Sequence, residues 1–292
     1  MRSGLKRLAQ FCLSLTFLIV LSTHADLAVA QDMRAVDLKE HTHIHGLAVD
    51  RKDPSQLLVA THHGLYRVAV DGNAKLISVV QDFMGFTPDP SEPNSLFASG
   101  HPAGGGNLGF ITSTDNGETW QQVSPGVGGP VDFHQMTVSL ADPKVVYGAY
   151  GVLQMSRDAG KTWSEVGPLP DNLIDIAASA KDSKTLYAAT EFGFSVSKDE
   201  GRTWKAILDG APVSFVEVTG DGTAYAFILG RGFVRFHEDK PKPETVSNDW
   251  GNRIPLHLAV DPANAKRMFV ATHKSDILVS TDGGIKWTVL GG

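Results

Sequence analysis

The sequence predicts an all-β protein: a single β-propeller of six four-stranded blades, with seven as the alternative count. Three observations predict it. One eight-residue pattern occurs four times at near-constant spacing. Short β-rich runs and Asp-Pro turns recur in fixed order around it. No linker interrupts the period of roughly 42 residues.

The four segments are Ser113-Thr-Asp-Asn-Gly-Glu-Thr-Trp120, Ser156-Arg-Asp-Ala-Gly-Lys-Thr-Trp163, Ser197-Lys-Asp-Glu-Gly-Arg-Thr-Trp204 and Ser280-Thr-Asp-Gly-Gly-Ile-Lys-Trp287. Their starts are 43, 41 and 83 residues apart; the last gap is two periods, so one copy has lost its marker. In each, the carboxylate (Asp115, Asp158, Asp199, Asp282) is suited to accept turn amides, and the Gly to take a positive φ. The Trp (Trp120, Trp163, Trp204, Trp287) is suited to pack into the blade and fix the hairpin. These eight residues are therefore read as structural.

The rest of each copy follows in order. A strand such as Leu186-Tyr-Ala-Ala-Thr190 or Met268-Phe-Val-Ala-Thr272 precedes the marker, and a turn precedes that strand, often Asp-Pro (Asp53-Pro54, Asp89-Pro90, Asp142-Pro143, Asp261-Pro262). A further short strand, such as Gly46–Val49 or Leu258–Val260, comes first. Each unit reads as strand, turn, strand, loop, strand, marker turn, strand, which is a four-stranded blade. The blades fall near 43–80, 81–130, 131–171, 172–211, 212–253 and 254–292; the first and fifth lack the marker, with Asp71-Gly72 and 237–240 in its place. A β-helix is the rival, but its rungs are usually shorter. The strand-like lead-in 33–39 is a candidate to pair with the last blade, although 287–290 already supplies a fourth strand there.

Residues 1–30 read as a secretory signal peptide: Arg2, Lys6 and Arg7, then an apolar stretch from Leu8 to Val20, then Ala28-Val29-Ala30. The apolar part is short for a membrane span, so none is expected after cleavage. The propeller then occupies 31–292, in the periplasm or outside the cell. The single cysteine, Cys12, lies in the leader. The mature chain has neither disulfides nor thiolate zinc sites, and 262 residues bury a sufficient core without staples. Removing three basic residues and one acidic residue with the leader leaves a net charge of −8, which argues against nucleic acid as a partner. A monomer is expected.

The four markers are Asp boxes, and the chain resembles the BNR/Asp-box superfamily across nearly its whole mature length. That group includes sialidases, sortilin-type receptor propellers and the photosystem II assembly/stability factor. The pattern is closest to the last group and to bacterial glycosylhydrolase-like proteins. The resemblance implies the fold more firmly than a function. It also implies that Asp boxes lie on the outer rim, away from the axis where propellers bind ligands. A sialidase would need an arginine triad, a tyrosine nucleophile with a Glu partner, and an Arg-Ile-Pro motif ahead of its first Asp box. Here Arg253-Ile254-Pro255 follows the third box, Arg157 and Arg202 lie inside boxes, and no triad is evident. A two-carboxylate glycosidase would need a pair such as Asp175 and Glu191, which nothing in the sequence selects.

The histidines give a different signal. Ten of eleven lie in the mature chain. With the blades aligned by their turns, His45, Met84 and His134 share a column at the start of the first strand, and His257 falls one position later. His62, His101, Glu191 and His273 share a column at the end of the second strand. In an antiparallel pair these columns lie at one end of the blade, opposite the Asp-Pro turns and Asp boxes. Nine histidines, all but His237, belong near that face. Clustered His and Met suit copper, and three His suit zinc equally well. The metal set is therefore read as His43, His45, His62, Met84, His101, His134 and His273, with His45, Met84, His101 and His134 as its core. His63, Glu191, Trp250 and His257 are read as the surrounding pore face, Trp250 either stacking on a ligand or capping its blade. Each of these taken singly has a structural explanation at a strand end; it is the recurrence that points to a site.

The resulting expectation is an exported, non-catalytic propeller that binds a metal ion, copper first and zinc second, for metal handling or metalloprotein assembly, with an envelope protein or small ligand as its partner. A metal-independent assembly scaffold and a glycoside hydrolase are the alternatives. No organic cofactor is indicated.

Overall fold

The second strand of every copy is almost wholly apolar, which suits a strand covered on both faces. Gln56–Thr61, Leu96–Pro102, Val146–Tyr150, Leu186–Thr190, Thr223–Ile228 and Met268–Thr272 are these strands, and most of their residues are buried. The fourth strands are polar and open, as in Ser164–Gly167 and Lys205–Asp209. The gradient from apolar to polar along each repeat is therefore a gradient from axis to rim. The computed structural model describes residues 33–292 and shows six antiparallel sheets in chain order. Five have four strands in simple meander order, and the first has five. The expected six-bladed propeller is the observed fold. The leader expected at 1–30 lies outside the described residues. No helix among the described residues is long and apolar enough to cross a membrane.

The fifth strand of blade 1 is the lead-in. Met33–Arg34 pairs antiparallel with Asn73–Leu76, the outer strand of its own blade, rather than with blade 6. The outer edge of blade 6 is taken by Thr288–Val289. A 3-10 helix, Ala35–Glu40, then buries Ala35 and Leu38 in a cluster shared by blades 1 and 6. The Arg34 guanidinium donates to Asp71 O and Asn73 Oδ1 (both 2.7 Å) and to Gly291 O (3.1 Å). Lys39 pairs with Asp276 at 2.9 Å. The ring thus closes by side-chain packing and capping, without a strand shared between the first and last blades.

The inner strands are Ile44–Val49, Gln81–Pro88, Gln135–Val138, Leu173–Ala178, Val213–Val218 and Pro255–Val260. Blades 1, 4 and 6 each carry an extra residue at the start of this strand: His45, Ile174 and Leu256. Blades 2 and 5 are irregular between Met84 and Thr87 and between Val213 and Val216. A bulge re-aims the side chain it carries. Here the column His45, Met84, His134, Ile174, Ser214 and Leu256 lines the central channel.

The Asp boxes close the opposite end. In blade 3, Ser156 Oγ donates to Asp158 Oδ1 (2.8 Å) and accepts the Gly160 amide (2.8 Å). Asp158 accepts the Thr162 amide (2.8 Å) and hydroxyl (2.7 Å). The turn therefore needs the Ser as an acceptor as much as the Asp. Ala159 and Gly160 both take positive φ, 58° and 82°. A Cβ on Gly160 would collide with the Phe110 ring of blade 2. Gly117, Gly201 and Gly284 meet Leu65, Leu153 and Phe233 in the same way, always a third-strand residue of the preceding blade. The box is thus a blade-to-blade spacer as well as a hairpin.

Candidate metal centre

Antiparallel pairing puts the start of the inner strand beside the end of the second strand. Ile44 faces Thr61, and Asp82 faces His101. The histidines of the two columns therefore meet at one mouth of a central channel of ≈ 1180 Å³. His43, His45, His62, His101, His134, His257 and His273 line it.

Two groups of three donors form there. In the first, His45, His62 and Asp82 place one donor atom each within 4.8 Å of one another. The His45 and His62 rings are 4.1 Å apart at 69°. His62 Nδ1 lies 2.8 Å from Asp82 Oδ2. His45 Nε2 and Asp82 Oδ1 are buried with no hydrogen-bond partner among the described residues. Burial pushes the His45 pKa down to about 4, and His62 adds to the shift while Asp82 opposes it. The ring is neutral at pH 7, with a lone pair to offer.

In the second group, Asp132 Oδ2 meets both His101 Nε2 (2.9 Å) and His134 Nε2 (2.6 Å). Asp132 is buried, and its Oδ1 has no partner among the described residues. His101 Nδ1 donates to Gly106 O at 2.8 Å, in the glycine-rich loop of blade 2. A backbone carbonyl on one ring nitrogen orients the other toward a metal. The hydrogen bond to Asp132 raises the His134 pKa, while burial opposes it. Two imidazoles and one carboxylate, with no thiolate, suit zinc(II) or copper(II) better than copper(I).

The geometry departs from the single core expected from the columns. His45 falls in the first group, and His101 and His134 in the second. Met84 is buried and lines the channel. The carboxylates Asp82 and Asp132 were missed. A signal for them existed: Asp82-Phe83-Met84 and Asp132-Phe133-His134 repeat Asp-Phe directly before the column. In blade 1 that place is held by His43.

The remaining residues fall at varying distance from the groups. His43 is exposed, with its ring 5.7 Å from His62. His273 Nδ1 accepts the Ile254 amide at 3.2 Å. His63 bonds Thr42 Oγ1 at 3.1 Å and lies off the channel. Glu191 is exposed, accepts from Asn172 at 2.9 Å, and also lies off the channel. His257 lies in the wall, where burial pushes its pKa down to about 4. Trp250 does not reach the pore. It is 4% exposed and packs edge-to-face on Phe227 (5.3 Å) and against Trp287 (5.4 Å), so it caps its blade and cannot stack on a ligand.

Deeper in the channel, blades 4 and 5 contribute carboxylates. Asp175 accepts the amides of Ile176 (2.9 Å) and Val216 (3.0 Å). Burial pushes its pKa up to about 7 against those two bonds. Glu217 is exposed toward the channel that it lines, within the ring of blades. Burial, then Asp175, pushes its pKa up to about 8. Asp175 and Glu191 do not form the pair a glycosidase would need, since only Asp175 lines the channel.

The comparisons agree with the architecture. A family model for the BNR/Asp-box repeat matches residues 111–122. No curated protein sequence matches the chain. Among solved structures, a GH74 enzyme from Niastella koreensis aligns with TM-score 0.58 at 18% identity, over 85% of this chain and 45% of that one. A GH74 xyloglucanase from Xanthomonas campestris gives 0.56 at 17%, over 85% and 45%. YCF48 bound to D1 peptide gives 0.51 at 16%, over 85% and 81%. The chain thus spans less than half the length of the two GH74 enzymes, and at these identities the likeness is one of fold alone. The six sheets make this chain a six-bladed β-propeller, and the match at 111–122 identifies one of its four boxes as a BNR/Asp-box repeat.

Proposed function

We propose that the histidine-lined mouth binds a divalent transition-metal ion, copper(II) or zinc(II), and that the protein is a non-catalytic metal-handling or metalloprotein-assembly factor. With a leader of the kind expected at 1–30, it would act in the periplasm or outside the cell. One observation carries the reading. Three buried acceptor atoms at the mouth, His45 Nε2, Asp82 Oδ1 and Asp132 Oδ1, have no partner among the described residues. A buried polar atom left unpaired costs roughly 1–3 kcal/mol, and a cation at each group removes that cost. The neutral state of His45 favours a metal over a proton. Purified mature protein is expected to retain or take up stoichiometric zinc or copper, and the double variant Asp82→Asn/Asp132→Asn to bind at least tenfold more weakly in calorimetric titration. Equal affinity in the wild type and the double variant would overturn the reading.

A second reading, metal-independent docking of a peptide, is favoured by the rim of the same end. Val79, Val80, Tyr150 and Phe192 are exposed there at 64%, 53%, 45% and 60%, in or beside loops that surround the histidines. The fold relative YCF48 is known in a peptide-bound form. On this reading, a partner captured from an envelope extract is lost in Tyr150→Ala/Phe192→Ala and kept in the presence of a chelator. On the metal reading, the chelator releases it.

A further inference from the structure

Resting on the metal reading above, we propose that the mouth is a two-ion centre with blade 2 as its shared wall. One ion is held by His45, His62 and Asp82, the other by His101, Asp132 and His134.

The two groups share no residue. Each carboxylate commits one oxygen to its histidines, Asp82 Oδ2 to His62 and Asp132 Oδ2 to His101 and His134. Each leaves its other oxygen buried and unpartnered. A single ion in either group leaves the other group's orphaned oxygen as it was; only two ions satisfy both. The groups are also neighbours. Asp82 and His101 face each other directly across the first two strands of blade 2. Side chains so paired share one face of the sheet, with Cβ atoms about 4.5–5.5 Å apart. Asp82 belongs to the first group and His101 to the second, so this one cross-strand pair joins the two sites. Each ion would have three protein donors, and such sites keep a further position for water or a ligand. The channel supplies room for a small anion, such as a carboxylate or phosphate, that reaches both ions.

Two like charges so close are expected to load in sequence, the second ion more weakly than the first, because the first raises the local positive potential. The test is copper(II) titration of the full mature protein, with bound metal counted by elemental analysis and the loaded protein examined by electron paramagnetic resonance. The expected result is two ions per chain, a two-step isotherm, and dipolar broadening with a half-field signal that appears only at the second equivalent. Asp82→Asn and Asp132→Asn should each bind one ion and lose the coupled signal. His62→Ala and His134→Ala, which alter largely open side chains, repeat the test if an aspartate variant fails to fold, as judged by circular dichroism. One ion per chain with no coupled signal would overturn the two-ion centre and leave the metal reading standing. No bound ion in the wild type would overturn both.

Discussion

At the residue scale, enclosure in the channel lowers the pKa of two histidines and raises that of two carboxylates. Both follow from burial, which disfavours the charged form of either group. His45 and His257 are pushed down to about 4, and Asp175 and Glu217 up to about 7 and about 8. For the carboxylates the sign is direct. Their folded pKa exceeds the unfolded value of about 4, so the folded chain holds more protons between about pH 4 and pH 8, and stability falls as pH rises through that window. Glu217→Gln is therefore expected to stabilise the protein at pH 8 and to be nearly neutral at pH 4, as read by urea denaturation at the two values. An equal effect at both would show that Glu217 ionises freely in the folded channel.

At the scale of the element, the Asp box works in the opposite direction. The Thr162 amide and hydroxyl hold the Asp158 pKa down at about 2, and Asp199 is held at about 2 by Thr203. A depressed carboxylate contributes stability that is present above the unfolded pKa and is lost as pH falls from about 4 to about 2. Asp158→Asn should thus lower the melting temperature at pH 6 and differ little from the wild type near pH 2. The box glycines carry a heavier load. Gly160→Ala places a side chain at φ 82° and against the Phe110 ring, and is expected to cost roughly 2–4 kcal/mol in chemical denaturation. The box pattern itself was legible because turn chemistry is local: Ser, Asp, Gly and Thr act on amides two to four residues away. The role of its glycine as a spacer between blades was not legible, because Phe110 belongs to the preceding repeat.

At the scale of the whole molecule, closure and metal loading are the two levers. Leu38 is fully buried between blades 1 and 6, and Leu38→Ala should cost about 2–5 kcal/mol by opening a cavity at the ring's seam. Differential scanning calorimetry would show whether the ring then melts in one step or frays at that seam. A metal that binds the folded mouth alone adds about 2.7 kcal/mol at a free concentration of 100 Kd. Zinc or copper should therefore raise the melting temperature of the wild type clearly more than that of Asp82→Asn/Asp132→Asn at the same metal concentration. No thermal shift in the wild type at saturating metal would count against a preformed site.

The sequence by itself pointed to six blades over seven, set their boundaries to within a few residues, and indicated the end of the blades where seven histidines line the channel. These follow from period, turn chemistry and the antiparallel rule, all of which act within one repeat. Only the tertiary structure decided that the lead-in pairs with blade 1, that Trp250 is sealed in the core, and that the histidines divide into two groups, each built on an aspartate. Those outcomes depend on how bulged inner strands aim side chains across blade boundaries. His45 meets Asp82 from the next blade, and His101 meets Asp132 across the seam between blades 2 and 3. No column of residues along one strand carries that information, because the donors of each group come from two adjacent repeats and converge only when those blades pack.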